Sequence, residues 1–212
     1  EMCIRDRGAF TSLYVAASDV DKYTDFLREN SDAFKAIGSS DAGVCITRSG
    51  NQYPGQMMVW NAFPSVEAAM IGSLKYDPNT ATGQITKMRE LKHSTIWKSL
   101  KSFRLEPGHE VVARFKIQQN NINAFVEIMT KLEKEVQKNG HPNFFNGVFV
   151  SIAGGKESQT IKVRNITNSA SDQGKIVDEY FSGKYKLFDE AVALTEGFVD
   201  EQIQICEQIY KQ

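Results

Sequence analysis

Arg114 and Lys116 stand two residues apart, and so do Lys162 and Arg164. On β-strands that spacing puts each pair on one face, because side chains alternate across a strand. Four cations gathered on one surface can hold an anion, and the forked guanidinium of arginine suits a carboxylate. A second group, Tyr14, Met58, Trp60 and Phe149, is aromatic or thioether in type and could pack the apolar body of the same ligand. At a separation of about 7 Å, two like charges repel by about 2 kcal/mol at an effective dielectric near 20, against about 0.6 kcal/mol in water. If covered, the cluster therefore requires counter-charge, from protein carboxylates or from a bound anion. Glu110, on the same strand face, and Glu201 or Glu207 are the internal candidates.

Other chemistries find less support. His93, His109 and His141 have neither HxxxH nor HxH spacing, and no metal site is expected. Cys45 and Cys206 are far apart without a CxxC pair, which reads as two buried thiols rather than a disulfide framework or a zinc site. Gly154-Gly155 does not open a helix, so it cannot cradle phosphate as a P-loop does. No Ser-His-Asp or Cys-His arrangement emerges. Hydrophobic and charged contents of 41% and 24% are ordinary, and a net charge of -1 speaks against a dedicated nucleic-acid binder. No apolar run approaches the roughly 18 residues of a membrane span.

The elements that must position these residues come in two sets. Ala42–Gly50 aligns with Asn146–Gly154, and Val59-Trp60-Asn61 with Val163-Arg164-Asn165. Leu13-Tyr14-Val15 falls over Ala113-Arg114-Phe115, with an insertion around Asn139–Pro142 between the halves. Each half reads strand, helix, strand, strand, broken helix, strand. The first strands are Thr11–Ala17 and Val111–Ile117. Apolar spacings of three and four mark the first helices, from Val20 to Ile37 and from Ile122 to Val136. Broken helical patterns cover Ser65–Leu74 with Gln84–Lys92, then Gly174–Ser182 with Lys184–Val199; Ser171 or Asp172 would cap the latter pair. Ser94–Phe103 and Glu201–Tyr210 read as closing strands. Asn61 and its counterpart Asn165 fall near strand ends, where a side-chain-to-backbone turn would explain both. The expected organisation is a repeat over 8–103, a linker over 104–109 and a second repeat over 110–212. Residues 1–7 read as a translated sequencing adapter, which would leave the native N-terminus, and any signal peptide, unread.

In order of elements the chain resembles the dimeric α/β-barrel superfamily, with its antibiotic-biosynthesis monooxygenase, stress-responsive barrel and NIPSNAP-like groups. The fold class expected is α+β, two ferredoxin-like βαββαβ repeats forming an intrachain pseudo-dimer. Their strand faces without helices would enclose an interior lined by Tyr14, Met58, Trp60, Arg114, Lys116, Phe149, Lys162 and Arg164. The expected role is binding a small acidic organic ligand there. The alternatives are a cofactor-free monooxygenase-like enzyme on an aromatic substrate, with Tyr14 and Trp60 in its pocket, and a structural or assembly module with a filled interior. No cofactor is expected, haem being the alternative the resemblance leaves open, with His93 the best of the histidines. Partners would be an acidic or aromatic metabolite, with no nucleic acid and no membrane span. Whether the chain is catalytic, monomeric or homodimeric, cytoplasmic or periplasmic stays open.

Overall fold

The computed structural model describes residues 3–4, 8–81, 83–152 and 155–212. Of the adapter-like segment, only the backbone of Cys3–Ile4 is among them, paired with Phe103–Arg104; the rest lies outside.

The barrel strands, in chain order, are β1 (Ala9–Ala17), β2 (Asp41–Ser49), β3 (Gln56–Phe63), β4 (Arg89–Ser99), β5 (Gly108–Ile117), β6 (Phe145–Ile152), β7 (Thr160–Thr167) and β8 (Thr195–Lys211). They close into one barrel in the order β8-β2-β3-β1-β4-β6-β7-β5, each neighbour antiparallel. Both runs of four share one internal order: second strand, third, first, fourth. The fourth strand of each run joins the second strand of the other, so none of the eight barrel strands keeps an open edge. β5 begins at Gly108, inside the stretch read as a linker.

Helices α1 (Val20–Glu29), α2 (Asp32–Ile37), α3 (Val66–Lys75), α4 (Gln84–Met88), α5 (Ile122–Lys138), α6 (Ala170–Phe181) and α7 (Lys186–Ala193) lie outside the barrel. Asp19 caps α1 by accepting from the Lys22 backbone N–H. The helix expected to run unbroken to Ile37 ends instead at Asn30 and restarts, and Gly38 then closes α2 in the left-handed conformation. By contrast α5 is continuous, and Phe125, Met129, Leu132 and Val136 bury one stripe on β6 and its neighbours. Ser169, not Ser171 or Asp172, caps α6, because its hydroxyl is the one placed to accept from the Asp172 N–H.

Both closing segments are strands, as expected. β8 is longer than its sequence pattern suggested, starting at Thr195 rather than Glu201, because its first part pairs with β5 and its second spans both β5 and β2. That register sets Cys206 directly opposite Cys45, and the two form a disulfide. The expected pair of separate thiols is thus corrected: 161 residues of sequence separation collapse to adjacent strands when the barrel closes.

Candidate functional site

Of the eight residues expected to line the interior, Tyr14, Met58, Trp60, Arg114, Phe149, Lys162 and Arg164 are buried. Lys116 is not; it is exposed near the end of β5, one residue before the strand finishes. Seven of the eight are thus buried, and the eighth lies where β5 runs out.

The interior supplies its own counter-charge. Arg164 donates from Nε to Glu110 Oε2 at 2.8 Å, and Gln204 donates to the same oxygen at 2.9 Å. The guanidinium also faces the Phe103 ring at 5.1 Å and Cys206 Sγ at 3.5 Å. Arg114 is held between Asp200, at 2.6 Å from Nε, and Glu157. Glu157 is fully buried and also meets His93 Nε2 at 3.1 Å. Glu110 is therefore the partner the sequence suggested, but Glu201 and Glu207 are not. Glu207 pairs outside with Arg28 of α1 at 2.7 Å. Glu157 and Asp200 take their place, one from the β6–β7 connection and one from β8, at the position between the segments read as helix, Lys184–Val199, and as strand, Glu201–Tyr210. Three carboxylates face Arg114, Arg164 and Lys162, so neutrality does not call for an acidic guest.

Lys162 makes no ion pair among the described residues. Its Nζ donates to the Tyr14 hydroxyl and lies 3.8 Å from the Trp97 ring centre, while Trp97 donates to Ser12 Oγ at 2.8 Å. The Tyr14 ring stacks on His93 at 4.3 Å. Burial brings the lysine pKa down to about 7, Glu157 pulling the other way and Arg114 and Arg164 adding to the fall. For Glu157 burial opposes ionisation, yet the hydrogen bond from His93 and the charges of Lys162 and Arg114 hold it at about 2.

A pH prediction follows for Lys162. The unfolded chain keeps that proton up to about 10.5, whereas the folded chain releases it near 7. Between those values the unfolded state binds more protons, so this group makes stability rise with pH. Urea midpoints should climb from pH 7 to pH 9.5 in the wild type, and Lys162→Met should flatten that climb. An equal slope in both proteins would show that Lys162 stays charged.

The larger opening lies outside the barrel. A cleft of about 530 Å³ runs between helices α5, α6 and α7 and the outer face of β5, β7 and β8. Leu132, Val136, Ile176, Tyr180, Tyr185, Phe188 and Phe198 form its walls, and Phe181 and Phe198 stand exposed at its mouth. Asn165 projects into this lining, and its Oδ1 is buried without a hydrogen-bond partner. Tyr185 donates to Glu179, which also receives Lys184 Nζ at 2.8 Å. A smaller cleft of about 350 Å³ lies between α3 and the outer face of β1, β3 and β4, with Asn61 in its lining. The turn role expected for the two asparagines is corrected: Asn61 bonds Ser39 and Thr11 side chains, and both asparagines point beneath helices. The sequence analysis assigns no site to the strand face beneath these helices. Four aromatics within residues 180–188 were the signal available.

No protein-family model matches the sequence, and no curated protein is similar to it. Solved structures are. An anthrone oxidase-like protein superposes with a TM-score of 0.64 at 9% identity, over 99% of this chain and 97% of that one. A candidate monooxygenase from Fusobacterium nucleatum gives 0.56 at 11% identity, over 97% and 99%. A haem-binding protein from Thermus thermophilus gives 0.54 at 11% identity, over 94% and 91%. The chain shares the fold of these structures, here eight antiparallel strands closed into a barrel within a single polypeptide with helices packed outside.

Proposed function

We propose that the protein binds a small, flat, mainly apolar organic molecule in the cleft between α5–α7 and the barrel. In this reading the chain is two ferredoxin-like βαββαβ repeats, 8–103 and 110–212 joined by 104–109, and the second repeat carries the site. The observation that supports it is an aromatic-walled cleft of about 530 Å³, within the range of small-molecule sites, with the unpartnered Oδ1 of Asn165 in its lining. A ligand hydroxyl or N–H would satisfy that oxygen, which otherwise costs about 1–3 kcal/mol of desolvation. The interior set of Tyr14, Met58, Trp60, Arg114, Phe149, Lys162 and Arg164 then serves the scaffold rather than an acidic guest.

The same cleft favours one further reading, a cofactor-free monooxygenase-like enzyme acting on an aromatic substrate, and the likeness to an anthrone oxidase-like protein supports it. A ligated haem fits less well. It would need a donor atom with a free electron pair directed into the cleft. Both nitrogens of nearby His141 are taken, by Asp172 at 2.6 Å and Glu179 at 3.1 Å, and burial holds the Tyr180 and Tyr185 phenols above their usual range, in the neutral form that donates to Asp189 and Glu179 rather than the phenolate that ligates.

Titration with 2-naphthol, followed by protein fluorescence, tests the binding site. Wild type should saturate. Ile176→Trp, which fills the cleft, and Asn165→Leu, which removes the acceptor, should each weaken binding roughly tenfold or more. Equal affinity in all three proteins would place the ligand elsewhere. Oxygen uptake that depends on the ligand would distinguish the enzyme from the binding protein.

A further inference from the structure

Arg89 opens β4 at 7% exposure, yet it lacks what the other buried arginines have. Arg114 and Arg164 each meet carboxylates. Arg89 makes one hydrogen bond, from Nη2 to the Tyr76 hydroxyl at 2.8 Å. Its Nε and Nη1 are buried with no partner, and no carboxylate among the described residues lies within ion-pair distance. The Tyr23 ring of α1 lies 6.0 Å from the guanidinium carbon.

A guanidinium cannot shed its proton to escape such a site. Burying it without counter-charge is costly, and a cation–π contact at the edge of its range returns only part of that cost. Among the described residues nothing meets the remaining charge.

The position suggests what would meet it. Tyr76 caps the C-terminus of α3 in an extended conformation, is partly exposed, and lines the 350 Å³ cleft of the first half. Arg89 therefore sits one side chain behind that cleft, with the Tyr76 hydroxyl occupying one of its donors. Asp77, the carboxylate nearest in sequence to Tyr76, instead accepts from the Asn79 backbone N–H and side chain, both at 2.9 Å. Burial pushes the Tyr23 hydroxyl up to about 12, so it stays protonated at neutral pH and able to donate. Two unpartnered guanidinium nitrogens beside the Tyr23 phenol make a seat for an oxyanion.

We propose that Arg89, beside Tyr23, binds the oxyanion group of a small molecule that enters through the first-half cleft as the Tyr76 side chain swings aside and releases Nη2. This site is separate from the apolar cleft in both place and chemistry. A carboxylate and a phosphoryl group share the recognition, and the probes below tell them apart.

The full-length protein is heated in a low-ionic-strength chloride buffer with increasing benzoate or inorganic phosphate. A saturable rise in Tm is expected for the wild type. A larger response to benzoate identifies an organic acid, and a larger response to phosphate a phosphate ester. Arg89→Met, similar in length but uncharged, should lose the response while unfolding no earlier than wild type in the absence of anion. A wild type indifferent to both probes, or an Arg89→Met protein that still responds, overturns the proposal. Should Arg89→Met fail to fold, Tyr76→Phe carries the test. It releases Nη2 and is expected to tighten anion binding about threefold or more, and unchanged affinity would overturn the proposal equally. Ile176→Trp should leave the anion response intact, which keeps this outcome independent of the apolar site.

Discussion

Glu110→Gln is expected to lower the unfolding free energy by about 3–5 kcal/mol, the usual cost of leaving one partner of a buried ion pair alone. Glu110 is fully buried and holds Arg164 through both carboxylate oxygens while accepting from Gln204. The amide keeps the shape but removes the charge, and its NH₂ group would face the guanidinium with two donors of its own. Arg164 cannot reach water from beneath Phe103 and the disulfide. The double variant Glu110→Leu with Arg164→Leu should recover most of the loss, since neither charge then needs solvating. A comparison with Glu207→Gln calibrates the result: its partner Arg28 is exposed on α1, so the change should cost no more than about 1 kcal/mol. Urea denaturation of the three proteins measures this. A Glu110→Gln loss as small as that of Glu207→Gln would mean that water reaches the barrel interior.

Loss of the Cys45–Cys206 disulfide should be of similar size. The bond closes a loop of 161 residues and ties β2 of the first half to β8 of the second, across one of the two seams of the barrel. Chain-entropy arguments give about 5 kcal/mol for so long a loop, and measured losses fall nearer 2–5 kcal/mol because the unlinked chain keeps some compactness. Cys45→Ala with Cys206→Ala should lower the urea midpoint accordingly, and wild type treated with dithiothreitol should approach the same midpoint. A wild type whose midpoint ignores the reductant, and equals that of the variant, would show that the seam holds without its covalent tie. Arg164 Nη2 lies 3.5 Å from Cys206 Sγ and 3.8 Å from Cys45 Sγ, so this loss and that of Glu110→Gln should not simply add.

Much of the architecture was legible residue by residue. Alternation along Leu13–Ala17 and Ala113–Ile117 marked strands, and it sorted Tyr14, Trp60, Arg114, Lys162 and Arg164 onto the inward face. The three- and four-residue spacing from Phe125 to Val136 marked α5. Boundaries were less legible: β8 begins six residues before Glu201, and Asn30 breaks the first helix. The candidate sites were the least legible. Ile176, Tyr180 and Phe188 look like any helix face packed on a sheet, and an arginine at position 89 looks like a residue on a solvated helix.

Periodicities of 2 and 3.6 are local properties of ten or so residues, so element types and faces could be read from the amino acids alone. Which charge meets which is not local. Cys45 meets Cys206 and Tyr14 meets Lys162 because closing an eight-stranded ring brings distant strands together, while Arg114 meets Asp200 across the β5–β8 pairing and Glu157 from the β6–β7 connection. The same closure filled the interior with matched charge, left an aromatic-walled cleft outside it, and left Arg89 buried without a carboxylate.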